Sequence, residues 1–281
     1  MIKKIEKILN SFILCNFCLG RLFSQLLTNT TNYERGKSIK TFLSIYYESL
    51  GKINCKKENF YGISFRKIKE RIEKANCDIC NNFFDNKIDK ICNRIAKRIK
   101  NIEFETFLVG CSLPKEIRAK EEKIWEIIGI ENVESLKSDV NREVGKRLEK
   151  AFNRKFSREN PDIIIIVNPI TLRFRIEIRS IFVFGKYKKL IRGIPQTKWV
   201  CSNCNGNGCE VCDFKGKLYK TSVQEIIEKP LLKETKSNKS EFSGMGREDI
   251  DVRCLDYRPF VIEILNPIKR KVNLKKIEKE I

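Results

Sequence analysis

The sequence predicts an α+β protein of several domains. Three features predict it: helix-period apolar spacing over roughly the first hundred residues, a change near residue 103 to alternating strands and helices, and eight of twelve cysteines grouped in four Cys-x-x-Cys pairs. The chain has 281 residues, of which 41% are apolar, enough for two or three cores. It contains no histidine. Any zinc site must therefore be all-thiolate. The commonest general base and the usual hydrolytic triads are excluded, and catalysis would fall to carboxylate, thiol, lysine or tyrosine.

The N-terminus reads as an amphipathic helix with Ile2, Ile5, Leu9, Phe12 and Ile13 on one face. It lacks the small-residue cleavage site of a signal peptide, and its apolar stretch leads into the first knuckle, Cys15/Cys18. Two further helices follow from 3.6-residue spacing: Ile39, Phe42, Leu43, Tyr46, Tyr47 and Leu50, then Phe84, Ile88, Ile91, Ile95 and Ile99. The second knuckle, Cys77/Cys80, lies between them. Two thiolates hold zinc poorly, so the two knuckles are expected to close on one structural ion. Cys55 and Cys92 have no ligand spacing, and Cys92 reads as a small hydrophobe buried on its helix. Residues 1–100 are thus a helical, zinc-stapled region.

Residues 101–195 read as an α/β module. A strand is expected over Glu103–Val109, then a helix with Pro114 in its first turn and Ile117, Ile124 and Trp125 along it. A second helix at about 136–152 carries Val140, Val144, Leu148 and Phe152, with Arg142, Lys146, Arg147 and Lys150 on its other face. An apolar strand, Ile163–Val167, turns at Asn168-Pro169 into an alternating strand, 172–179. There Leu172, Phe174, Ile176 and Ile178 face one way and Arg173, Arg175 and Arg179 the other. Cations on a strand face and a nearby helix suit a phosphate backbone. An ordinary solvated face is the alternative.

Residues 196–281 begin after a connector, 191–199, with Cys201-x2-Cys204-x4-Cys209-x2-Cys212. Gly206 and Gly208 let the backbone fold between these knuckles, and four thiolates leave no open position, so a structural zinc is expected. The segment also fits one Cys-x-x-Cys-x-Gly-x-Gly unit of DnaJ-type chaperones, an alternative that rests on this cluster alone. Lys233–Ser243 reads as a polar loop, Pro259–Leu265 as a strand with Phe260, Ile262 and Ile264 on one side, and the basic C-terminus as the start of a helix.

With 57 Lys+Arg against 36 Asp+Glu, the net charge is +21. This favours a polyanionic partner, nucleic acid or an anionic membrane surface, although a composition rich in Lys, Ile and Asn raises the count by itself. The longest purely apolar run, Ile163–Val167, is far short of the roughly 20 residues that span a bilayer, so no membrane partner is expected. Paired knuckles in a long chain suit metal thiolates in a reducing compartment, which points to the cytoplasm.

Three segments together resemble the archaeal-type tRNA pseudouridine synthases of the Pus-ten family. They are Cys15-Asn-Phe-Cys-Leu-Gly-Arg-Leu-Phe with Tyr33-Glu-Arg-Gly36; Ser138-Asp-Val-Asn-Arg-Glu-Val-Gly145 with Gly185-Lys-Tyr-Lys-Lys-Leu-Ile-Arg-Gly-Ile-Pro-Gln-Thr-Lys-Trp199; and Gly246-Arg-Glu-Asp-Ile-Asp-Val-Arg253 with Arg258-Pro-Phe260. The likeness runs through essentially the whole chain in order. It implies a zinc-bearing N-terminal region, a THUMP-like module that handles tRNA, and the start of a pseudouridine synthase catalytic domain. That domain would isomerise uridine 54 and/or 55 of tRNA without an organic cofactor. Motif register places the catalytic carboxylate at Asp249, with Arg247 as its pairing arginine and Asp251 as the rival carboxylate. The RNA-contacting set then comprises Arg142, Lys146, Arg173, Arg175, Lys186, Lys188 and Lys189. The chain ends about thirty residues after Asp249, where family members continue through most of the catalytic sheet and the base-stacking tyrosine. An incomplete or split enzyme, completed by a second chain, is therefore expected. The competing expectation is a zinc-stapled tRNA binder without catalysis.

Overall fold

The computed structural model describes residues 1–281, the side chain of Asn86 excepted. The protein is a mixed α+β chain of two compact units, one of residues 1–100, 107–159 and 164–176, the other of 101–106, 160–163 and 177–281.

The first unit opens with helices α1 (Ile2–Ser11), α2 (Asn16–Gly20), α3 (Asn32–Leu50) and, after one π-helical turn, α4 (Ile88–Ile99). On α1 the buried side chains are Ile5, Ile8 and Leu9. On α4 all the expected apolar positions from Ile88 to Ile99 are buried, and Cys92 with them. Burial pushes the Cys92 thiol up to about 11, so it stays neutral as a small apolar group.

Helix α3 starts at a capping box in which Thr31 and Glu34 satisfy each other's backbone N–H groups. Its buried stripe differs from the expected one. It runs Gly36, Lys40, Leu43, Ser44, Tyr47, while Phe42, Tyr46 and Leu50 are exposed. A stripe containing Gly, Lys and Ser gives no apolar signal. What sets it is close approach: a Cβ on Gly36 would lie 1.9 Å from the Asn16 carbonyl oxygen, and one on Gly20 would lie 1.8 Å from that of Asn32. Each glycine of the α2–α3 crossing leaves room for the other helix's backbone.

Next come β1 (Thr106–Cys111), α5 (Lys115–Ile128), α6 (Leu136–Phe152), β2 (Lys155–Phe156), β3 (Ile163–Asn168) and β4 (Arg173–Ile178), with sheet order β2-β1-β3-β4. Strand β1 begins three residues later than expected, and Pro114 caps α5 from just outside it. Ser135 caps α6, which buries Val140, Val144 and Leu148. On β4 Phe174, Ile176 and Ile178 are half-buried, while Arg173 and Arg175 are exposed. Arg94 lies over the Phe174 ring at 5.5 Å.

The second unit holds β5 (Ile181–Lys189), α7 (Val223–Thr235), β6 (Lys239–Gly244), β7 (Cys254–Leu265) and α8 (Leu274–Glu280). Its antiparallel sheet has order β5-β7-β6, with Val183 opposite Ile262 and Phe242 opposite Ile262 on the other side. Thus β5 lies within the 101–195 stretch of the sequence but pairs with β7. Tyr187, Phe260, Ile262 and Ile264 form a core with Val223, Ile227 and Leu231 of α7 and Ile277 of α8.

The expected loop at Lys233–Ser243 is a correction. Its start completes α7 and its end is β6. Ser222 caps α7, whose buried residues Val223, Ile227 and Leu231 recur every four positions despite Pro230 inside the helix. Strand β6 is a sheet edge whose outward residues, Lys239, Glu241 and Ser243, are exposed, so its inward alternation is diluted by polar side chains.

Candidate metal centres and active-site loop

The structure brings together both sets of four cysteines that the spacing singled out. Within each set the sulfurs lie within 4.8 Å of one another. A tetrahedral tetrathiolate with metal–sulfur bonds of about 2.3 Å has edges of about 3.8 Å. The observed Sγ–Sγ separations fit: 3.5 Å for Cys15–Cys80, 3.9 Å for Cys201–Cys209, and 3.8 Å for both Cys204–Cys212 and Cys209–Cys212.

The first centre joins knuckles far apart in sequence, and hydrogen bonds outside the cysteines make the join. The Asp78 N–H donates to the Ile13 carbonyl at 2.8 Å, and the Ile13 N–H returns a bond to Asp78 Oδ2 at 2.7 Å. Buried Asn59 accepts from the Leu14 N–H at 2.8 Å and donates to the Leu9 and Phe12 carbonyls. Sequence reasoning missed Asn59, which no spacing or motif marks. Lys40, also buried, donates to the Leu14 carbonyl at 2.6 Å. Burial lowers its proton affinity, while the fields of Cys15, Cys77 and Cys18 act in the opposite sense.

Arg21 is wholly buried and pairs with Glu121 at 2.6 Å. Burial opposes its charge, but the neighbouring Cys18 and Glu121 outweigh it and raise its pKa. Phe17 stacks on Phe84 with centroids 4.8 Å apart, packing the first knuckle's short helix against the chain beyond the second.

The second centre is closed by its own loop. Gly208 has φ +92°, and a Cβ there would lie 2.7 Å from the Phe214 carbonyl oxygen, so only glycine fits. Its sulfurs accept N–H bonds: Gly208 to Cys204 at 3.2 Å, Cys209 and Gly216 to Cys212 at 3.3 and 3.2 Å, and the Asn203 amide to Cys209 at 3.3 Å. The bond from Asn203 is the main cause that holds the Cys209 thiol down at about 6.

Asp249 is exposed, in the segment between β6 and β7. That segment is fixed from below. Lys189, 2% exposed, donates to the carbonyls of Ile194, Asp249 and Ile250 at 3.0, 2.9 and 3.2 Å. Gln196 donates to the Gly246 carbonyl, the Tyr187 hydroxyl and Glu248. Glu248, 7% exposed, accepts from the Tyr187 hydroxyl at 2.9 Å and pairs with Arg258 at 3.3 Å. Arg247 does not take the place expected for it. Its guanidinium lies 5.4 Å from the Trp199 ring centroid, and no Arg247–Asp249 ion pair occurs among the described residues. The buried ion pair of this segment is Arg258–Glu248, which the sequence did not single out.

Of the expected RNA-contacting residues, Lys146, Arg173, Arg175, Lys186 and Lys188 are exposed, with Lys188 4.4 Å from the Tyr257 ring centroid. Two others are placed differently. Lys189 is buried as described. Arg142 sits among Glu134, Asp139 and Glu143 in a network of ion pairs, its charge neutralised within the first unit.

That network has a testable titration. Asp139 is 0% exposed, and its Oδ2 has no hydrogen-bond partner. Burial, with Glu134 alongside, raises its pKa to about 7 against the pull of Arg142. In the unfolded chain it ionises near pH 4. The stabilisation is therefore full below about pH 4 and is lost as pH rises through about 7. Relative to Asp139→Asn, which stays neutral, the wild-type chain should lose about 2–4 kcal/mol between pH 4.5 and pH 8. Urea unfolding at the two pH values checks this, and parallel pH slopes for the two proteins would refute it.

Among the described residues no helix is long and apolar enough to cross a membrane. Residues 91–168 match the family model of the archaeal Pus10 THUMP domain, and residues 182–281 match that of the Pus10 C-terminal region. Relatives named tRNA pseudouridine synthase Pus10 align along nearly the whole chain. The protein of Methanocaldococcus jannaschii is 41% identical over 98% of this chain and 63% of its own length. That of Methanopyrus kandleri is 40% identical over 100% of this chain and 66% of its own. That of Methanococcus voltae is 31% identical over 98% and 70%. The chain thus spans about two thirds of the length of these relatives. With both family models matched in order and this similarity running from end to end, the chain belongs to the archaeal Pus10 family.

Proposed function

We propose that this chain is the tRNA-recognising and aspartate-bearing part of a tRNA pseudouridine synthase acting on uridine 54 and/or 55 of the T-arm. The observation that carries the reading is Asp249: an exposed carboxylate on a backbone pinned by Lys189 and Gln196, in a chain whose relatives are named for this activity. Isomerisation breaks the N1–C1′ bond and joins C5 to C1′, while the C5 proton departs and N1 gains one. An aspartate either attacks C1′ or removes the 2′ proton, and neither route needs an organic cofactor. Arg247, stacked on Trp199, is assigned to hold RNA phosphate near Asp249.

The division into 1–100, 101–195 and 196–281 is proposed as zinc-stapled region, tRNA-binding module and catalytic portion. A second protein chain as partner and a cytoplasmic location belong to the same reading. Both cysteine sets are proposed to hold structural Zn²⁺, which four thiolates bind without an open position. The exposed Lys146, Arg173, Arg175, Lys186 and Lys188 are proposed to meet phosphates.

The test is pseudouridine formation on an unmodified tRNA transcript, read by carbodiimide labelling and primer extension. Asp249→Ala should abolish modification and leave tRNA affinity within a few-fold. That affinity should fall steeply as salt rises. Salt-independent binding would remove the nucleic-acid reading. A wild-type chain that binds tRNA but modifies none would support the non-catalytic binder.

A further inference from the structure

The two tetrathiolate sets differ in how their negative charge is met. Four thiolates around a divalent ion carry a net charge of about −2, and burying such a charge is costly unless a cation or hydrogen-bond donors accompany it. In the first set Cys18, Cys77 and Cys80 are buried and Cys15 is half-buried. Among the described residues one N–H bond to sulfur is measured there, from Cys18 to Cys15 at 3.4 Å, with the Cys80 N–H beside Cys77 and the Arg21 guanidinium beside Cys18. A buried lysine also stands beside the set: Lys40, 8% exposed, held by the carbonyl of Leu14, the residue before Cys15. Burial acts most strongly on Lys40 and lowers its pKa, and the sulfurs of Cys15, Cys77 and Cys18, with Asp85, oppose that loss of charge. Arg21 adds to the same field but is shared with Glu121.

The second set differs in degree and in its donors. Cys201 and Cys212 are buried, Cys204 and Cys209 are half-buried like Cys15, and the donors to its sulfurs are N–H groups of the neutral residues Asn203, Gly208, Cys209 and Gly216.

We propose that Lys40 is the built-in counter-cation of the Cys15/Cys18/Cys77/Cys80 centre, making it a permanent buried metal site, while the Cys201–Cys212 centre is the exchangeable one. The proposal rests on the reading that both sets bind zinc, and goes beyond it by assigning Lys40 a role and the two sites an order of release. Lys40 needs no contact with the ion. Its positive charge, held in place by the Leu14 carbonyl, stabilises the four thiolates in the metal-bound form, as a residue outside the ligand set commonly does.

The experiment uses the full chain. Zinc content is measured first, then zinc release to an excess of a chromogenic chelator, with iodoacetamide labelling and peptide mass spectrometry to show which cysteines open in each phase. Two ions per chain and two phases are expected, with Cys201, Cys204, Cys209 and Cys212 labelled in the fast one. Lys40→Met should accelerate the slow phase about 10–100-fold and leave the fast one unchanged, while Lys40→Arg should follow the wild type. In the Co²⁺-loaded protein, Lys40→Met should move the thiolate-to-metal charge-transfer band to lower energy, because the thiolates lose a neighbouring positive charge. Lys40→Arg should not move it. A loss of packing without a change in field would speed release but leave that band in place.

Should Lys40→Met fail to fold, Lys40→Gln takes its place with the same outcomes, since it keeps a donor for Leu14 without the charge. Fewer than two ions per chain would overturn the zinc reading and this proposal together. Two ions released at equal rates, labelling in the reverse order, or a band unmoved by loss of the lysine would overturn this proposal alone.

Discussion

Gly36→Ala is expected to destabilise the first unit by about 3–5 kcal/mol, opposite in sign to the usual effect of Gly→Ala inside a helix. The new Cβ would lie 1.9 Å from the Asn16 carbonyl oxygen and 2.9 Å from the Asn16 Cα. Both are backbone atoms, so no side chain can rotate out of the way, and α2 must move off α3. Cys15 caps α2 and Cys18 lies within it. The displacement therefore carries the first knuckle away from Cys77 and Cys80, and the packing loss is compounded by loss of the shared site.

Gly145 is the control. It too is inside a helix, α6, but a Cβ there meets nothing within 4 Å, so Gly145→Ala should stabilise by about 0.5–1 kcal/mol. Urea unfolding of both variants, with zinc content measured alongside, separates close approach from helix propensity. If Gly36→Ala behaves like Gly145→Ala, the crossing is not as tight as described.

Arg21→Met should cost about 3–5 kcal/mol. The side chains of Arg21 and Glu121 are 1% and 4% exposed, and the substitution leaves the glutamate charge buried with only the Leu136 N–H still donating to Oε1. The loss reflects the orphaned carboxylate more than the worth of the pair. Arg21→Met combined with Glu121→Leu should accordingly recover most of it, because a buried pair replaced by apolar groups of similar volume is often close to neutral. A double-mutant cycle by urea unfolding gives the coupling. A cost for Arg21→Met below about 1 kcal/mol would mean that Glu121 finds another partner.

Much of the local structure was legible in the sequence. Helix α6 and strands β3 and β4 follow their apolar periods closely, since each buries one face against a neighbour and period alone reports that. The cysteine pairs identified all eight candidate ligands, because a Cys-x-x-Cys turn brings two sulfurs to one point. The stripe of α3 was not legible: its buried residues include Gly36, Lys40 and Ser44, set by a helix crossing and by the Leu14 carbonyl to which Lys40 donates. Edge strand β6 was hidden for the opposite reason, since half of its side chains face solvent and look like a loop.

At the candidate active site, motif register located the segment around Asp249 but not its contacts. Lys186, Lys188 and Lys189 look alike in sequence. Strand alternation turns Lys189 inward, where it holds the Asp249 and Ile250 carbonyls, and leaves the other two exposed. Arg142 and Arg173 are equally basic by count, yet three carboxylates gather around Arg142 and Arg173 stays exposed. By itself the sequence determined the α+β class, the periodic helices and strands, the candidate metal ligands and the family resemblance, all of which depend on residue type at short spacing. Only the tertiary structure decided which cations are structural, that Glu248 and not Asp249 takes the ion pair, and that two distant knuckles meet. Those outcomes depend on which groups are brought together from far along the chain and on how completely water is removed from between them, and no local pattern encodes either.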